Sequence, residues 1–105
     1  MIIQVNTDSQ TQGTADLTRS VQMLLESKLE RFSSRITRAE VHLTDDNGSG
    51  KAGGIDKRCM IEVRMAGMDP IIATDRGSSH DTALRGAANK MQSQLETIVG
   101  KLGRG

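Results

Sequence analysis

The sequence predicts an α+β fold, a two-layer sandwich in the order β-α-β-β-β-α with a four-stranded sheet and two helices on one face. Two segments, roughly residues 15–38 and 79–105, repeat apolar residues at the spacing of an amphipathic helix. Other apolar residues alternate with polar ones in short runs, as in strands with one buried face. Strands joined by hairpins, with helices laid on one side, form this fold class.

Four strands are predicted, at 2–6, 39–44, Lys57–Met65 and 71–74. The third is the clearest, because apolar and polar residues alternate along its whole length. A polar, Gly-rich stretch at 45–56 separates the second strand from the third and predicts a mobile hairpin loop.

The helices have recognisable starts. Thr14 is suited to cap the first helix, and Asp16 follows in the first turn, where the helix dipole favours an acid. Ser78 or Ser79 is expected to cap the second helix. The apolar stripes contain Leu17, Val21, Leu24, Leu25, Leu29, Phe32 and Ile36 in the first helix, and Leu84, Ala88, Met91, Leu95, Ile98 and Leu102 in the second.

Composition limits the possible functions of this chain. Its 105 residues predict one domain spanning 1–105. Phe32 is the only aromatic residue, and its place in the apolar stripe assigns it to the core. Many proteins that bind single-stranded nucleic acid stack bases on aromatic rings, which this chain lacks on its surface. If the chain binds RNA, we expect it to do so through phosphates, 2′-hydroxyls and shape.

Cys59 is the only cysteine, which excludes an intrachain disulfide and a zinc site built from several thiolates. Its position on the inward side of a strand predicts a buried thiol. The N-terminus lacks a signal-peptide pattern, and no apolar run approaches membrane-spanning length. We therefore expect a cytoplasmic protein without a membrane partner.

Charge is distributed unevenly between the predicted helices and the rest of the chain. The helical segments hold nine bases and five acids, a surplus of four, whereas the remainder has five bases and eight acids. A basic helical surface on a small domain is typical of proteins that bind a polyanion such as RNA.

Two rows of residues run beside the apolar stripes. Lys28, Arg31 and Arg35 share one row of the first predicted helix. Lys90 and Lys101 share a row of the second helix with Gln94 and Thr97. An alternative explanation needs no ligand, because bases near a helix C-terminus complement the dipole and their stems cover apolar edges. Periodicity alone also leaves open whether the two rows join into one surface.

Three short segments resemble one protein family. Residues 28–32, Lys-Leu-Glu-Arg-Phe, resemble the K-L-E-[KR]-aromatic segment that ends helix one in the ribosome hibernation-promoting factor and ribosome-associated inhibitor family. Residues 89–95, Asn-Lys-Met-Gln-Ser-Gln-Leu, are similar to its N-K-L-x-x-Q-L segment, and 82–84, Thr-Ala-Leu, to the preceding T-A-I. The predicted element order agrees with that family along almost the whole chain.

The resemblance implies a translation inhibitor or hibernation factor that binds rRNA of the small ribosomal subunit near the decoding centre. It carries over Lys28, Arg31 and Lys90 as rRNA-binding residues, whereas Arg35 and Lys101 follow from the row geometry alone. The chain ends at Gly105, so we expect a short form without the C-terminal dimerisation domain, present as a monomer or weak oligomer.

No pattern of residues indicates catalysis or metal binding. Ser79, His80 and Asp81 are adjacent in sequence, so their side chains diverge at a helix start and do not form a triad. His42 and His80 lack metal-ligand spacing, and the loop at 45–56 lacks the Glu of a calcium loop. We expect no enzyme activity, cofactor or small-molecule substrate.

A different class of function remains open. The chain could be a non-catalytic protein-interaction domain of the same fold that has lost rRNA binding. Salt-sensitive co-sedimentation with ribosomes distinguishes these two hypotheses.

Overall fold

A computed structural model describes residues 1–8, 14–45 and 56–102. Its elements follow the predicted order. They are β1 (Ile2–Thr7), α1 (Ala15–Leu29), one 3-10 turn (Glu30–Phe32), β2 (Ile36–Asp45), β3 (Lys57–Met65), β4 (Ile71–Gly77) and α2 (His80–Leu102).

The four strands form one mixed sheet in the order β1-β2-β3-β4. β1 is parallel to β2, an arrangement that requires a crossover between them, and α1 lies in that connection. β2 pairs antiparallel with β3, and β3 pairs antiparallel with β4. A four-stranded sheet with two helices confirms the predicted α+β class.

One apolar core lies between the helices and one face of the sheet. Alternate residues of β2, β3 and β4 point into it and meet the apolar stripes of α1 and α2. Phe32 and Cys59 both belong to this core, as predicted. Its largest fully buried side chains include Leu25, Leu29, Leu43, Ile61, Met91 and Leu95.

Both helix starts carry a side-chain cap. The Thr14 hydroxyl accepts a hydrogen bond from the Leu17 backbone N–H at 3.0 Å. The Ser79 hydroxyl accepts one from the Thr82 backbone N–H at 3.1 Å. These bonds confirm Thr14 and select Ser79 over Ser78, and they satisfy N–H groups that the first helical turn leaves unpaired.

The predicted extent of the first helix is wrong. α1 ends at Leu29, the 3-10 turn ends at Phe32, and β2 begins at Ile36. Ile36 is only 4% exposed, so it joins the core as the stripe predicted, but it does so from a strand. The β2–β3 register shifts between Ile36 and Arg38. This irregularity breaks the alternation that would have identified the start of the strand.

The remaining differences are in boundaries. β1 is one residue longer than predicted, and β4 continues to Gly77 rather than ending at residue 74. β3 has the predicted bounds. The hairpin loop predicted at 45–56 falls largely on residues 46–55, which lie outside the described residues. The strands that flank it pair antiparallel, with Asp45 opposite Lys57.

Candidate RNA-binding surface

Lys28 is in the last turn of α1, and Arg31 lies in the 3-10 turn that follows it. Helical spacing places Lys28 on the same flank as Leu24, the flank towards α2. One turn earlier, Leu24 and Leu84 line a groove of about 340 Å³ between the two helices. Lys28 is half-buried. Arg31 belongs to the 3-10 turn, and its guanidinium carbon lies 5.2 Å from the centre of the Phe32 ring.

Arg31 also joins the two helices, because its Nη1 lies 3.3 Å from Oε1 of Glu96 in α2. The Arg31 side chain remains 69% exposed and that of Glu96 47% exposed. A pair this exposed contributes at most about 1 kcal/mol. Arg31 is therefore positioned by α2 but remains accessible to a ligand.

Lys90 and Gln94 lie against the edge of the sheet. Lys90 Nζ donates to the carbonyl oxygen of Thr74 at 3.1 Å, and Gln94 Nε2 donates to that of Ile72 at 3.0 Å. β4 is at the edge of the sheet formed by the described strands, and none of these lies beyond it to donate to the two carbonyls. The row predicted on the second helix therefore lies close to the domain body. Two of its members, Lys90 and Gln94, form hydrogen bonds that connect α2 to β4.

The position of Lys90 depends on a carboxylate from β4. Asp75 Oδ1 lies 3.4 Å from Lys90 Nζ. Asp75 packs against Gly86, one turn before Lys90, in space that a Cβ atom at position 86 would occupy. The backbone N–H of Arg76 and the ammonium of Lys90 hold the pKa of Asp75 below its ordinary value. The carboxylate is therefore ionised at neutral pH and attracts Lys90.

The two basic rows lie on opposite flanks of α2. Glu96 contacts Arg31 and lies on the flank of α2 that faces α1. Lys90 lies on the flank of α2 that faces β4. Between them runs the outer ridge of α2, where helical spacing places Asn89 and Ser93, both exposed and uncharged. The rows are thus separated by the width of a helix, roughly 10 Å, rather than merged into one stripe.

The helical argument for Arg35 is wrong. Arg35 is an exposed residue between the 3-10 turn and β2, so it cannot share a helical row with Lys28 and Arg31. Arg38 likewise lies on β2 rather than on a helix. Within the helical segments as the structure bounds them, six bases face five acids, so the predicted surplus of four falls to one.

Arg85 was absent from the predicted set of binding residues. It lines the groove between the helices, and its Nε donates to Asp81 at 2.9 Å one turn earlier. Its place four residues after an acid and next to Leu84 could have been read from the sequence. Lys101 is exposed in the last turn of α2, as predicted.

The described residues offer little for other chemistry. No three of their His, Cys, Asp or Glu side chains are placed to hold a metal ion. Cys59 is buried, and burial together with the charge of Asp75 raises the pKa of its thiol to about 12, so the reactive thiolate is suppressed. Ser79 serves as a helix cap, and burial lowers the pKa of the neighbouring His80.

Solved structures share this fold. The N-terminal domain of Protein Y from Thermus thermophilus superimposes with a TM-score of 0.72 at 18% identity, covering 93% of this chain and 99% of that one. A ribosomal subunit interface protein from Coxiella burnetii gives a TM-score of 0.70 at 17% identity, covering 95% and 99%. No curated protein matches the chain by sequence.

A sequence-family comparison is more specific than these fold similarities. Residues 7–103 match the family described as sigma 54 modulation protein / S30EA ribosomal protein. The match includes all three segments that resembled the hibernation factors, at 28–32, 82–84 and 89–95, and it spans almost the whole chain. The chain therefore belongs to the sigma 54 modulation protein / S30EA ribosomal protein family.

Proposed function

We propose that this protein binds the small ribosomal subunit near the decoding centre and keeps idle ribosomes out of translation. Membership of a family named for a ribosomal protein supports ribosome association, as does the similar fold of the ribosomal subunit interface protein from Coxiella burnetii. The family is one of ribosome-associated modulation factors rather than enzymes, in line with the expectation of no catalytic activity.

The observation that carries the proposal is the arrangement of bases around α2. Lys28, Arg31 and Arg85 lie on the side of α1, and Lys90 lies on the side of β4. Lys101 follows Lys90 in the same helical row, in the last turn of α2. The ridge between the two groups presents short, uncharged side chains. An RNA backbone that crosses this ridge could meet positive charge on both sides, a contact of phosphate and shape that needs no aromatic ring.

The ion pairs within this surface do not prevent such binding. The side chains of Lys90 and Asp75 are 58% and 33% exposed, so their pair, like that of Arg31 with Glu96, is weakened by solvent. Exposed pairs contribute about 0–1 kcal/mol. Hydrogen bonds from these cations to phosphate are charge-assisted in the same way as those to carboxylates, so the bases can exchange one partner for the other.

Arg35 remains a candidate on different grounds. It is an exposed base in the turn that follows the 3-10 turn, which carries Arg31. It also lines a groove with Leu102 at the end of α2. A ligand that covers the C-terminal ends of both helices would reach it.

Pelleting with purified small subunits tests the proposal. We expect the wild-type protein to pellet at low salt and to be released as salt rises, because about six phosphate contacts cost roughly a thousandfold in affinity between 50 and 200 mM salt. Replacing Lys28, Arg31 and Lys90 together by Glu should abolish pelleting. If this triple variant still pelleted, the helical surface would not be the binding site.

A matched pair of single variants controls for net charge. Lys28→Glu and Arg19→Glu make the same change of charge in α1, but Arg19 lies off the row that faces α2. We expect Lys28→Glu to weaken binding several-fold more than Arg19→Glu. Equal effects would indicate general electrostatic attraction without a defined surface.

The alternative is a protein-interaction domain of this fold that no longer binds rRNA. The near balance of six bases and five acids in the helical segments favours it, as does the use of Arg31 and Lys90 in contacts within the domain. Wild-type protein that stays in the supernatant at every salt concentration would support this alternative.

We further propose a single domain, a cytoplasmic location and a monomer or weak oligomer. In the described ranges, no helix is both long and apolar enough to cross a membrane. The family match at 7–103 covers the chain as one unit. Light scattering across a concentration series measures the oligomeric state.

A further inference from the structure

The two edges of the described sheet differ in how their backbone is covered. At the β4 edge, the carbonyl oxygens of Ile72 and Thr74 accept hydrogen bonds from Gln94 and Lys90 of α2. Side chains of the second helix thus occupy groups that an added strand would need. β1 forms the opposite edge, and its six residues include no charged residue and no proline, two features that commonly protect an edge strand.

Alternate residues of β1 direct their backbone away from the sheet. The Asp8 N–H donates to the Leu43 carbonyl oxygen of β2 at 3.3 Å. Because successive residues of a strand face opposite sides, the odd-numbered residues Ile3, Val5 and Thr7 turn their N–H and C=O groups to the edge. Among the described residues, none forms a hydrogen bond to these three backbone positions.

The apolar core is also incompletely covered at this edge. Ile3 and Val5 pack against the core but are only partly buried. The core-facing apolar residues of β2, β3 and β4 are buried. A further strand beside β1 would cover the remaining apolar area of Ile3 and Val5, and removing that area from water favours association.

We propose that β1 pairs antiparallel with β1 of a second copy of this chain, forming a two-fold dimer with one continuous sheet. A pair centred on Val5 places Ile3 opposite Thr7 of the second copy. Every N–H and C=O group that faces the edge then has a partner, because residues of this alternate set exchange both of their hydrogen bonds. An uncharged strand can lie beside an identical strand without repulsion between opposed side chains.

The charges of α1 fit the same two-fold arrangement. The flank of α1 that faces away from α2 carries Ala15, Arg19, Gln22 and Glu26, all exposed. α1 runs back along β1 in the crossover, and Gln22 is its middle residue. Two such helices, side by side and antiparallel about Gln22, place Arg19 near Glu26 of the second copy. Two strands per helix space the helices by about 10 Å, a distance at which helices pack.

This dimer is expected to be weak and closed. One short strand and a polar helix flank offer less contact than the roughly 800 Å² per partner of a stable interface. Gln94 and Lys90 occupy the β4 edge, so a third copy cannot add there and association stops at the two-fold pair. Lys28 and Lys90 lie away from the pairing flank, so the inference does not depend on the proposed function.

Sedimentation equilibrium up to millimolar concentration, together with amide hydrogen exchange by NMR, tests the proposal. We expect a monomer–dimer equilibrium without larger species. The amides of Ile3, Val5 and Thr7 should gain protection as concentration rises, whereas those of Gln4 and Asn6, which face β2, should not change. A chain that remains monomeric throughout, or that forms species larger than a dimer, would overturn the inference.

Val5→Pro removes the central outward N–H in both copies. Proline is tolerated on an edge strand where the N–H faces solvent, so the monomer should still fold. Losing two hydrogen bonds should raise the dissociation constant of the dimer by about tenfold or more. Ile72→Pro makes the same change at the β4 edge and should leave self-association unchanged. Equal weakening by the two variants would contradict pairing through β1.

A charge exchange tests the pairing without altering the strand. Arg19→Glu and Glu26→Arg each place like charges opposite each other, and each should weaken the homodimer by roughly two- to fivefold. The double variant has the wild-type net charge and should regain wild-type self-association. An equimolar mixture of the two single variants should form heterodimers in preference to either homodimer. A mixture that associates no better than its components would contradict this pairing.

The remaining outcomes identify another occupant of the edge or separate the two proposals. If the chain alone is monomeric and β1 gains protection from exchange only when small subunits are added, the edge binds a ribosomal component and self-pairing is overturned. If the chain dimerises but never pellets with subunits, only the proposed function fails. If it pellets but never dimerises, only this inference fails.

Discussion

The carboxylate of Asp75 lies in the space that a side chain on Gly86 would fill. This close approach of β4 to α2 has consequences beyond packing. Lys90 follows one helical turn after Gly86, and its ammonium is 3.4 Å from the same carboxylate. The absence of a side chain at position 86 thus allows the acid to reach the base, and it fixes one member of the candidate RNA surface against the sheet.

Replacing Gly86 by Ala should leave the fold less stable than the same replacement at Gly100. The new methyl group would overlap the Asp75 carboxylate, so this side chain has to move and loses its contacts with Lys90 and the Arg76 N–H, which offsets the gain of about 1 kcal/mol in helix propensity. Urea denaturation measures the change in the free energy of unfolding.

Gly100→Ala is the matched control in the same helix. A Cβ atom there meets nothing within 4 Å, so this variant should be unchanged or stabilised by up to about 1 kcal/mol. Equal stability of the two variants would mean that the contact between Asp75 and Gly86 is not tight in solution.

Asp75→Asn should strengthen RNA binding. Asparagine has nearly the same shape and can still accept the Arg76 N–H, but it no longer holds the Lys90 ammonium by charge. Because the pair is exposed to solvent and therefore weak, the expected gain in affinity is only roughly two- to fivefold. Binding to extracted small-subunit RNA at fixed salt measures it, and an unchanged or lower affinity would show that Lys90 does not contact RNA.

The same variant has a predicted effect in acid. The pKa of Asp75 is lowered in the folded protein, so its carboxylate contributes stability above the ordinary value of 3.8, and this is lost as pH falls through the lowered pKa. Wild-type stability should therefore fall more steeply than that of Asp75→Asn in this acidic range. If the stability of the two proteins fell equally as the pH decreased, the pKa of Asp75 would not be lowered in the folded protein.

Local patterns were sufficient to predict most of the fold. Strict alternation gave the bounds of β3, and the capping residue Thr14 gave the start of α1. The end of α1 was missed because Ile36 continues the helical spacing of Leu29 and Phe32. A buried side chain at position 36 is expected for a helix as well as for a strand, so it does not distinguish between them. The register shift after Ile36 depends on pairing with β3, which no local pattern reveals.

The candidate site was predictable only in part. Spacing identified Lys90 and its position beside the apolar stripe, because helical periodicity is a local property. Its partners, the Thr74 carbonyl and Asp75, come from a strand distant in sequence.

Cys59 should make the fold sensitive to alkaline pH. Burial, with a smaller contribution from Asp75, raises the pKa of its thiol from 9.0 to about 12. Below pH 9 the thiol is protonated in both the folded and unfolded states, so it has no effect on the pH dependence of stability. Between pH 9 and 12 the unfolded chain loses the proton while the folded protein retains it, so stability falls as pH rises.

Cys59→Ala isolates this effect from other groups that titrate in the same range. Lys57, whose pKa is raised by its hydrogen bond to Asp45, is retained in both proteins. The free energy of unfolding of wild type relative to Cys59→Ala should fall between pH 8 and 10.5, by up to about 1.4 kcal/mol for each pH unit above 9. A constant difference across that range would mean that the folded thiol is accessible to solvent and ionises normally.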